Sequence, residues 1–573
     1  FGYGSQEAAN AKWTFFVCRW ADDVVRSGVW AAVVSTLFQF RPQEVSSGAR
    51  VWGKLFLIED RRPMGAVSGF ELLGFREWQP QELANTAWAF ARLSVTKPPF
   101  IESLACELRD TLRRVRTVDA ERGFLPRHVE MVLWALSRLE DLAPAWRFLD
   151  CTEIGTCKVG SLALSGLLSE CQERGLRGEE QRLLHLLACF SPNLRMPAAD
   201  VAALQLAEVG RETEVLEFLR QQPRLSAVSE KVWRACRGGP LPPQGAMSQR
   251  FTLAPHSAHY KEARLLAYVL SVAPPSNLAA ACEAIERFGR DNLSRAYGGG
   301  GGWAPSAGSW LKVAGGDKAA ILASAARLMP GVCASPGRIL EVGTYCGYSA
   351  LRLAAARPGA KILSLEADPG AAVIARCILA HAGLSHIVEV RIGHSEDVLP
   401  KLAARAGVAS AAEGTFGLVF FDQRGSRYNA DLATLERAGA LAPGAVILAD
   451  NVLKPGAPAF LWRLLHGGDY ATQVVPVHEY AMPGVEDWMS LSVRLPEGAL
   501  ETDEEVNGGP TTCSPPPLPP RLRRLEWEAD QIRSRAESSP GVGFEAWAEF
   551  VEEMREGLAQ EGIGPTGPGT ISR

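Results

Sequence analysis

The chain has 573 residues, of which 47% are hydrophobic and 22% charged, and its net charge is −4. That length predicts more than one domain, and the near-neutral balance excludes a chain-wide affinity for nucleic acid or anionic lipid. Twelve cysteines lie scattered without a Cys-x-x-Cys pair, which points to reduced thiols rather than structural zinc.

The longest early apolar run, Val29-Trp-Ala-Ala-Val-Val34, is far short of a bilayer span, so no membrane span is expected. The expected compartment is the cytoplasm. Because the chain opens at Phe1 rather than Met, a targeting segment and an organellar location stay open.

Residues 1–240 read as an all-α helical-repeat region. Pro42-Gln-Glu-Val, Pro80-Gln-Glu-Leu and Pro126-Arg-His-Val each open an amphipathic helix, with Pro in the tolerated first turn. Apolar residues recur at matching offsets (Val45, Leu83 and Val129; Leu55, Leu93 and Leu139), and Trp88 matches Trp134. Periods on the order of forty residues suggest stacked helical hairpins. The segment Pro80–Leu93 resembles the octotricopeptide repeat, a family associated with organellar RNA binding, and the likeness spreads over roughly 41–150. It implies an RNA or protein partner. Core packing explains the same Trp and Leu positions. Lys and Arg balance Asp and Glu across 76–150, and the cluster Arg109, Arg113, Arg114 and Arg116 reads equally as a solvated helix face.

Gly238-Gly-Pro-Leu-Pro-Pro-Gln-Gly245 reads as a linker. From 250 to 498 strands are predicted near 338–342, 361–366, 387–392, 417–422, 445–450, 472–477 and 488–494, with helices between the first six. This predicts a doubly wound, mainly parallel α/β sheet whose ligand edge is the carboxyl end of its strands. Glu341, Glu366, Asp422, Asp450 and Asn451 fall on that rim. The stretch Ile339-Leu-Glu-Val-Gly-Thr-Tyr-Cys-Gly-Tyr-Ser-Ala350 is a strand, a glycine turn and a helix start. With a strand-terminal acid at Glu366, it is the pattern of a nucleoside site. Asp and Asn oxygens on the same edge suit a hard cation such as magnesium. Residues 499–573, acidic and then proline-rich, read as a mostly disordered spacer with a short helix around Phe544–Val551.

Residues 250–498 resemble the catechol O-methyltransferase family. The likeness rests on Glu341–Arg352, Leu448-Ala-Asp-Asn-Val452 with Pro455-Gly456, Glu479-Tyr-Ala-Met482, Trp310–Lys318 and Glu283-Ala-Ile285. It implies a Rossmann-like methyltransferase fold, S-adenosylmethionine as cofactor, Mg2+ as metal and a catechol-like small-molecule substrate. By that resemblance Ala314, Glu341, Gly343, Tyr345, Ser349, Glu366, Ser395, Glu396 and Asp422 line the cofactor. Asp422, Asp450 and Asn451 hold magnesium. Trp310, Asn451, Pro455 and Glu479 face the substrate, with Glu479 holding its second hydroxyl.

One departure bears on the chemistry. The family carries a lysine base three residues after its first metal Asp, with Trp just before it; Gly425 and Arg424 stand at those places here. Arg is no natural base. His478 and Lys454 are therefore the candidates for proton removal, unless the metal alone acidifies the acceptor. A repeat scaffold carrying a weakly active or inactive methyltransferase domain is the competing reading.

Overall fold

The computed structural model describes residues 78–92, 106–107, 110, 126–139, 141–153, 161–194, 258–293, 311–330, 337–406, 415–480, 482–496, 517–537 and 542–566. The chain divides into two units, 1–190 and 191–573. The break falls ahead of the linker expected near 240, and residues 191–194 and 258–293 belong with the second unit.

The first unit is helical: α1 (Pro80–Arg92), α2 (Pro126–Ser137), α3 (Ala143–Glu153), α4 (Ser165–Arg174) and α5 (Arg177–Phe190). Two helices begin at the prolines the spacing marks, Pro80 and Pro126; the copy at Pro42 lies outside the described residues. Leu83 and Val129 are fully buried, and the Trp88 and Trp134 rings lie 6.4 Å apart. Those side chains serve packing. At the α2–α4 contact a Cβ on Gly166 would come 2.6 Å from Ser137 Oγ, so only glycine allows that approach.

The second unit holds a seven-stranded sheet: β1 (Arg338–Val342), β2 (Lys361–Glu366), β3 (Val388–Ile392), β4 (Phe416–Phe421), β5 (Leu441–Ala449), β6 (Tyr470–Glu479) and β7 (Met482–Arg494). Their order is β3-β2-β1-β4-β5-β7-β6. The first five pair in parallel; β7 runs antiparallel to β5 and to β6. Parallel strands need crossover helices, which cover both faces, and this is why β1 and β4 are nearly continuous apolar runs. Helices α6 (Tyr260–Val272), α7 (Leu278–Leu293), α8 (Asp317–Leu328), α9 (Tyr348–Ala356) and α10 (Pro369–His381) pack side by side in the order α10, α6, α7, α9, α8. A second series is α11 (Ser395–Ala406), α12 (Gly425–Arg437) and α13 (Pro458–His466), whose Leu399, Leu432, Phe460 and Leu461 are buried against the sheet. The fold is a Rossmann-like α/β sheet. Among the described residues no helix is long and apolar enough to cross a membrane.

The region beyond 498 differs from the expected spacer. It forms α14 (Pro520–Glu537) and α15 (Phe544–Ala559), both packed on the sheet domain. In α14, Leu522, Leu525, Ala529 and Ile532 recur every three or four residues and share one buried face. In α15, Trp547, Val551, Met554 and Leu558 do the same. The apolar stripe of α14 is narrow and set among Arg and Glu, which hides it beside the proline run. Beyond α15, Thr566 N–H donates to the Val474 carbonyl (3.0 Å) and its hydroxyl accepts from Val474 N–H (3.1 Å), covering part of the edge strand β6.

Leu522 is fully buried in this shared core. Leu522→Ala is therefore expected to destabilise the sheet domain by about 2–5 kcal/mol. Urea unfolding followed by tryptophan fluorescence measures it; a loss under about 0.5 kcal/mol would mean that α14 does not complete the core.

Candidate active site

The rim at the carboxyl ends of β1, β2, β4 and β5 is built first by glycine. After β1 the chain turns at Gly343 (φ 106°), where any Cβ would collide with the Asp422 carbonyl. This brings the ends of β1 and β4 into backbone contact. Tyr345 (φ 49°) and Gly347 (φ 83°) complete the turn into α9. The Tyr345 N–H donates to Glu366 Oε2 (2.7 Å), and the Asp368 N–H donates to Glu366 Oε1 (2.8 Å), so the turn and the acid at the end of β2 are locked together. The Tyr345 hydroxyl donates to Glu262 Oε1 on α6 (2.7 Å), and Lys261 Nζ lies 5.7 Å from its ring.

Two acids here carry the cost of burial. Glu341 has no solvent exposure; Ser364 donates to its Oε2, while Oε1 carries no hydrogen bond. Burial pushes its carboxyl up to about 7, against the opposing hydroxyls of Ser349 and Ser364. Burial and the neighbouring Asp368 charge push Glu366 to about 7 as well, against the N–H groups that face it. Ala314, Ser349 and Ser395 are buried, and Glu396 Oε2 lies 3.3 Å from Arg427 Nη1.

The ends of β4 to β7 carry a buried cluster of charges. Lys318, 1% exposed at the start of α8, places Nζ 2.8 Å from Asp450 Oδ1, 2.8 Å from Asp487 Oδ2 and 3.3 Å from Glu479 Oε1. Lys454 Nζ lies 3.1 Å from the same Glu479 oxygen. Asn451 (φ 57°) donates its amide to Asp487 Oδ2 (2.9 Å) and Glu479 Oε1 (3.3 Å). Asp487 Oδ1 accepts from the N–H groups of Lys454 (2.9 Å) and Trp488 (2.8 Å).

The electrostatics follow. Burial alone would lower the Lys318 ammonium, but the carboxylates of Asp450, Asp487 and Glu479 outweigh it and raise it well above the ordinary lysine value. Burial would raise Glu479, yet Lys318 and Lys454 hold it down to about 2. Asp450 is pushed up to about 6 by burial and by its acidic neighbours, against Lys318. Asp422 is pushed well above the carboxylate range by burial and by Asp450. Four acids thus share two ammonium groups, and the raised values at Asp422 and Asp450 show that protons make up part of the imbalance. Among the described residues no group of three or more His, Cys, Asp or Glu is arranged as a metal site. The predicted set is of another kind, the carboxylates of Asp422 and Asp450 with the amide oxygen of Asn451, whose nitrogen is already engaged.

The structure therefore brings Asp422, Asp450, Asn451, Lys454 and Glu479 to one rim, with Pro455 beside them. His478 does not join them. Its side chain is 72% exposed, and its Nδ1 lies 3.9 Å from the equally exposed Asp317. At the end of β6 Val477 and Glu479 are buried and His478 between them is exposed, next to a break in the register with β7. Trp310 lies outside the described residues. Gly425 is closed to any side chain, because its Cβ would strike the Gly456 carbonyl and come 3.1 Å from Ala457 Cβ. Sequence reasoning missed Lys318 as a site residue and Asp487 altogether. Asp487 is an acid inside an apolar strand next to Trp488, and Lys318 follows paired glycines at a helix start; both were signals of a buried pair.

A family model described as a methyltransferase domain matches residues 340–452. Catechol O-methyltransferase B of Danio rerio is 37% identical over 188 residues, covering 32% of this chain and 67% of that protein. Catechol O-methyltransferase of Mus musculus is 35% identical over 202 residues, 35% of this chain and 66% of that protein. The chain thus spans about two thirds of the length of these relatives. Among solved structures, the O-methyltransferase TomG from Streptomyces achromogenes, in complex with SAM, is 25% identical over 32% of this chain and 82% of its own, with a TM-score of 0.28.

The buried acid of β1 gives a test of the electrostatics. Above pH 7 Glu341 is ionised in the fold at a cost; toward pH 5 it is protonated and most of that cost is gone, the rest vanishing below its ordinary value of 4.5. Glu341→Gln is expected to raise the Tm of the ligand-free protein at pH 8, with the gain shrinking toward pH 5. Scanning calorimetry at the two pH values decides it, and a gain independent of pH would show that the carboxyl carries no such cost.

Proposed function

Because the chain belongs to the catechol O-methyltransferase family, we propose that its second unit transfers a methyl group from S-adenosylmethionine to one hydroxyl of a catechol-like diol, assisted by magnesium. The observation that carries this reading is the buried rim where Asp422, Asp450 and Asn451 adjoin Glu479 and its two lysines.

S-adenosylmethionine, when bound, supplies an electrophilic methyl on a good leaving group. The chain's own residues prepare for it. Glu366, fixed at the end of β2, accepts ribose hydroxyls in exchange for part of its present backbone bonding. Gly343, Tyr345 and Ser349 form the turn that admits the amino-acid end, where Glu341 Oε1 offers a buried acceptor without a hydrogen bond. Ala314, Ser395, Glu396 and Asp422 complete the cofactor wall.

Magnesium fits the remaining donors: it would displace the protons that the raised Asp422 and Asp450 take up, and Asp422, Asp450 and the Asn451 oxygen would hold it. When bound, it would lower the pKa of the two chelated hydroxyls. Glu479, held ionised by Lys318 and Lys454, accepts a hydrogen bond from an acceptor hydroxyl and fixes its orientation. Lys454 Nζ lies 3.1 Å from the same Glu479 oxygen and shares in orienting it, and the acceptor's proton passes to solvent as the methyl moves from sulfur to oxygen. Holding the two reactants in line supplies much of the remaining acceleration.

The closed position at Gly425 favours the second reading, a helical-repeat scaffold for RNA or a protein partner whose methyltransferase domain has lost turnover. Methyl transfer from labelled S-adenosylmethionine to a panel of catechols by the full chain separates them. Product that needs magnesium supports the enzyme; cofactor binding with no product from any diol supports the scaffold.

Within the enzyme, Glu479→Gln is expected to lower kcat/KM on the order of 10²-fold with cofactor affinity retained, whereas His478→Ala leaves turnover unchanged. A large loss in the His478 variant would return that residue to the site. The magnesium concentration needed for half-activation is also expected to rise as pH falls through about 6, where Asp450 of the metal-free site takes up a proton; a requirement constant down to pH 5 would speak against Asp450 as a ligand.

A further inference from the structure

The α14–α15 pair packs on the two loops that form the acceptor end of the rim. Asp530 Oδ1 accepts from the Ser426 hydroxyl (2.9 Å) and lies 3.6 Å from Arg424 Nε. Arg533 donates to the Gln423 carbonyl (3.0 Å). On the neighbouring loop, the Met554 methyl lies 3.0 Å from where a Gly456 Cβ would stand. Trp547, 5% exposed, sets its ring centroid 5.2 Å from Lys454 Nζ. The helices are themselves tightly joined, since a Cβ on Gly557 would come 2.8 Å from Leu525. This segment lies outside the stretch matched as a methyltransferase domain.

Lys454 needs such a cover. Its loop runs from Asn451 to Ala457, and its long side chain has rotamers that would take Nζ away from Glu479. The Glu479 carboxylate is shared with Lys318, so it does not by itself dictate where the second ammonium rests. An indole is the best aromatic partner for an ammonium, and its attraction strengthens when water is excluded.

We propose that Trp547 is a positioning residue for the acceptor site: its indole holds the Lys454 ammonium on Glu479 from outside the methyltransferase sheet. The role in turnover rests on the methyl-transfer reading above, whereas the placement of Lys454 can be read without any turnover. The α14–α15 pair is then a working wall of the site, and its contacts to Gln423, Arg424 and Ser426 hold the opposite loop in register.

The test uses the full chain as wild type, Trp547→Leu, Trp547→Phe, and a form with a multiply fluorinated tryptophan at 547, which keeps the ring's shape and weakens its π face. Each is treated with formaldehyde and cyanoborohydride, and the methylation rate of Lys454 is followed by peptide mass spectrometry against exposed Lys361. The expected result is labelling of Lys454 roughly tenfold faster in the leucine variant and roughly threefold faster in the fluorinated one, with phenylalanine close to wild type. Acceptor kcat/KM should fall in the same order while the KM for S-adenosylmethionine stays constant. Unchanged Lys454 labelling in the fluorinated protein would overturn the proposal, as would phenylalanine behaving like leucine. If the leucine variant fails to fold, the fluorinated form still decides. If the wild type transfers no methyl group, the enzyme reading falls while the labelling still settles the placement of Lys454.

Discussion

A lysine with almost no solvent exposure joins the parts of this site. Lys318 rises from the first turn of α8 into three carboxylates, on β5's exit (Asp450), β6 (Glu479) and β7 (Asp487). Moving a charge out of water costs several kcal/mol unless it is paired well, and here the pairing spans four elements. The parallel part of the sheet and the antiparallel β6–β7 pair thereby present their ends at a common depth. Lys454 adds a second positive charge on Glu479, and the acids still outnumber the bases. A surplus of that size inside a fold is a standing demand for a cation or for protons, which the raised values at Asp422 and Asp450 express.

The two sides of the rim meet through backbone rather than side chains. Gly343 lies directly on the Asp422 carbonyl, and Gly425 on that of Gly456. The first approach sets the turn after β1 against the strand that ends in Asp422. The second occupies the place where the resemblance implies a lysine. An amine is nonetheless present at the rim, carried by Lys454 on the loop that closes Gly425 off.

Much of this was legible in the sequence. The β1 motif, Glu366 and the acids after β4 and β5 are local signals, because strand–turn–helix geometry is set within a dozen residues and polar residues at strand ends have few other uses. The strands fall where apolar runs lie between turn residues, although β5 and β7 start earlier than the runs suggest. Legibility failed where an assignment depended on a distant partner. Lys318 reads as a helix-surface lysine until Asp450, Asp487 and Glu479 are in place. His478 and Glu479 are adjacent, and only the facing of an edge strand decides which one enters the site. The α14 stripe of four apolar residues reads as a solvated, charged segment until the face it covers is known.

The domain's chain order also shapes its synthesis. The sheet is complete at Arg494, but its covering helices begin at Pro520 and the contact on β6 is made by Thr566. A ribosome adds about 5–20 residues per second, so the nascent sheet waits several seconds with an apolar face and a strand edge uncovered. During that interval the growing protein is a natural client for chaperones. The wall that Trp547 and Met554 build over Lys454 and Gly456 is the last part of the domain to take shape.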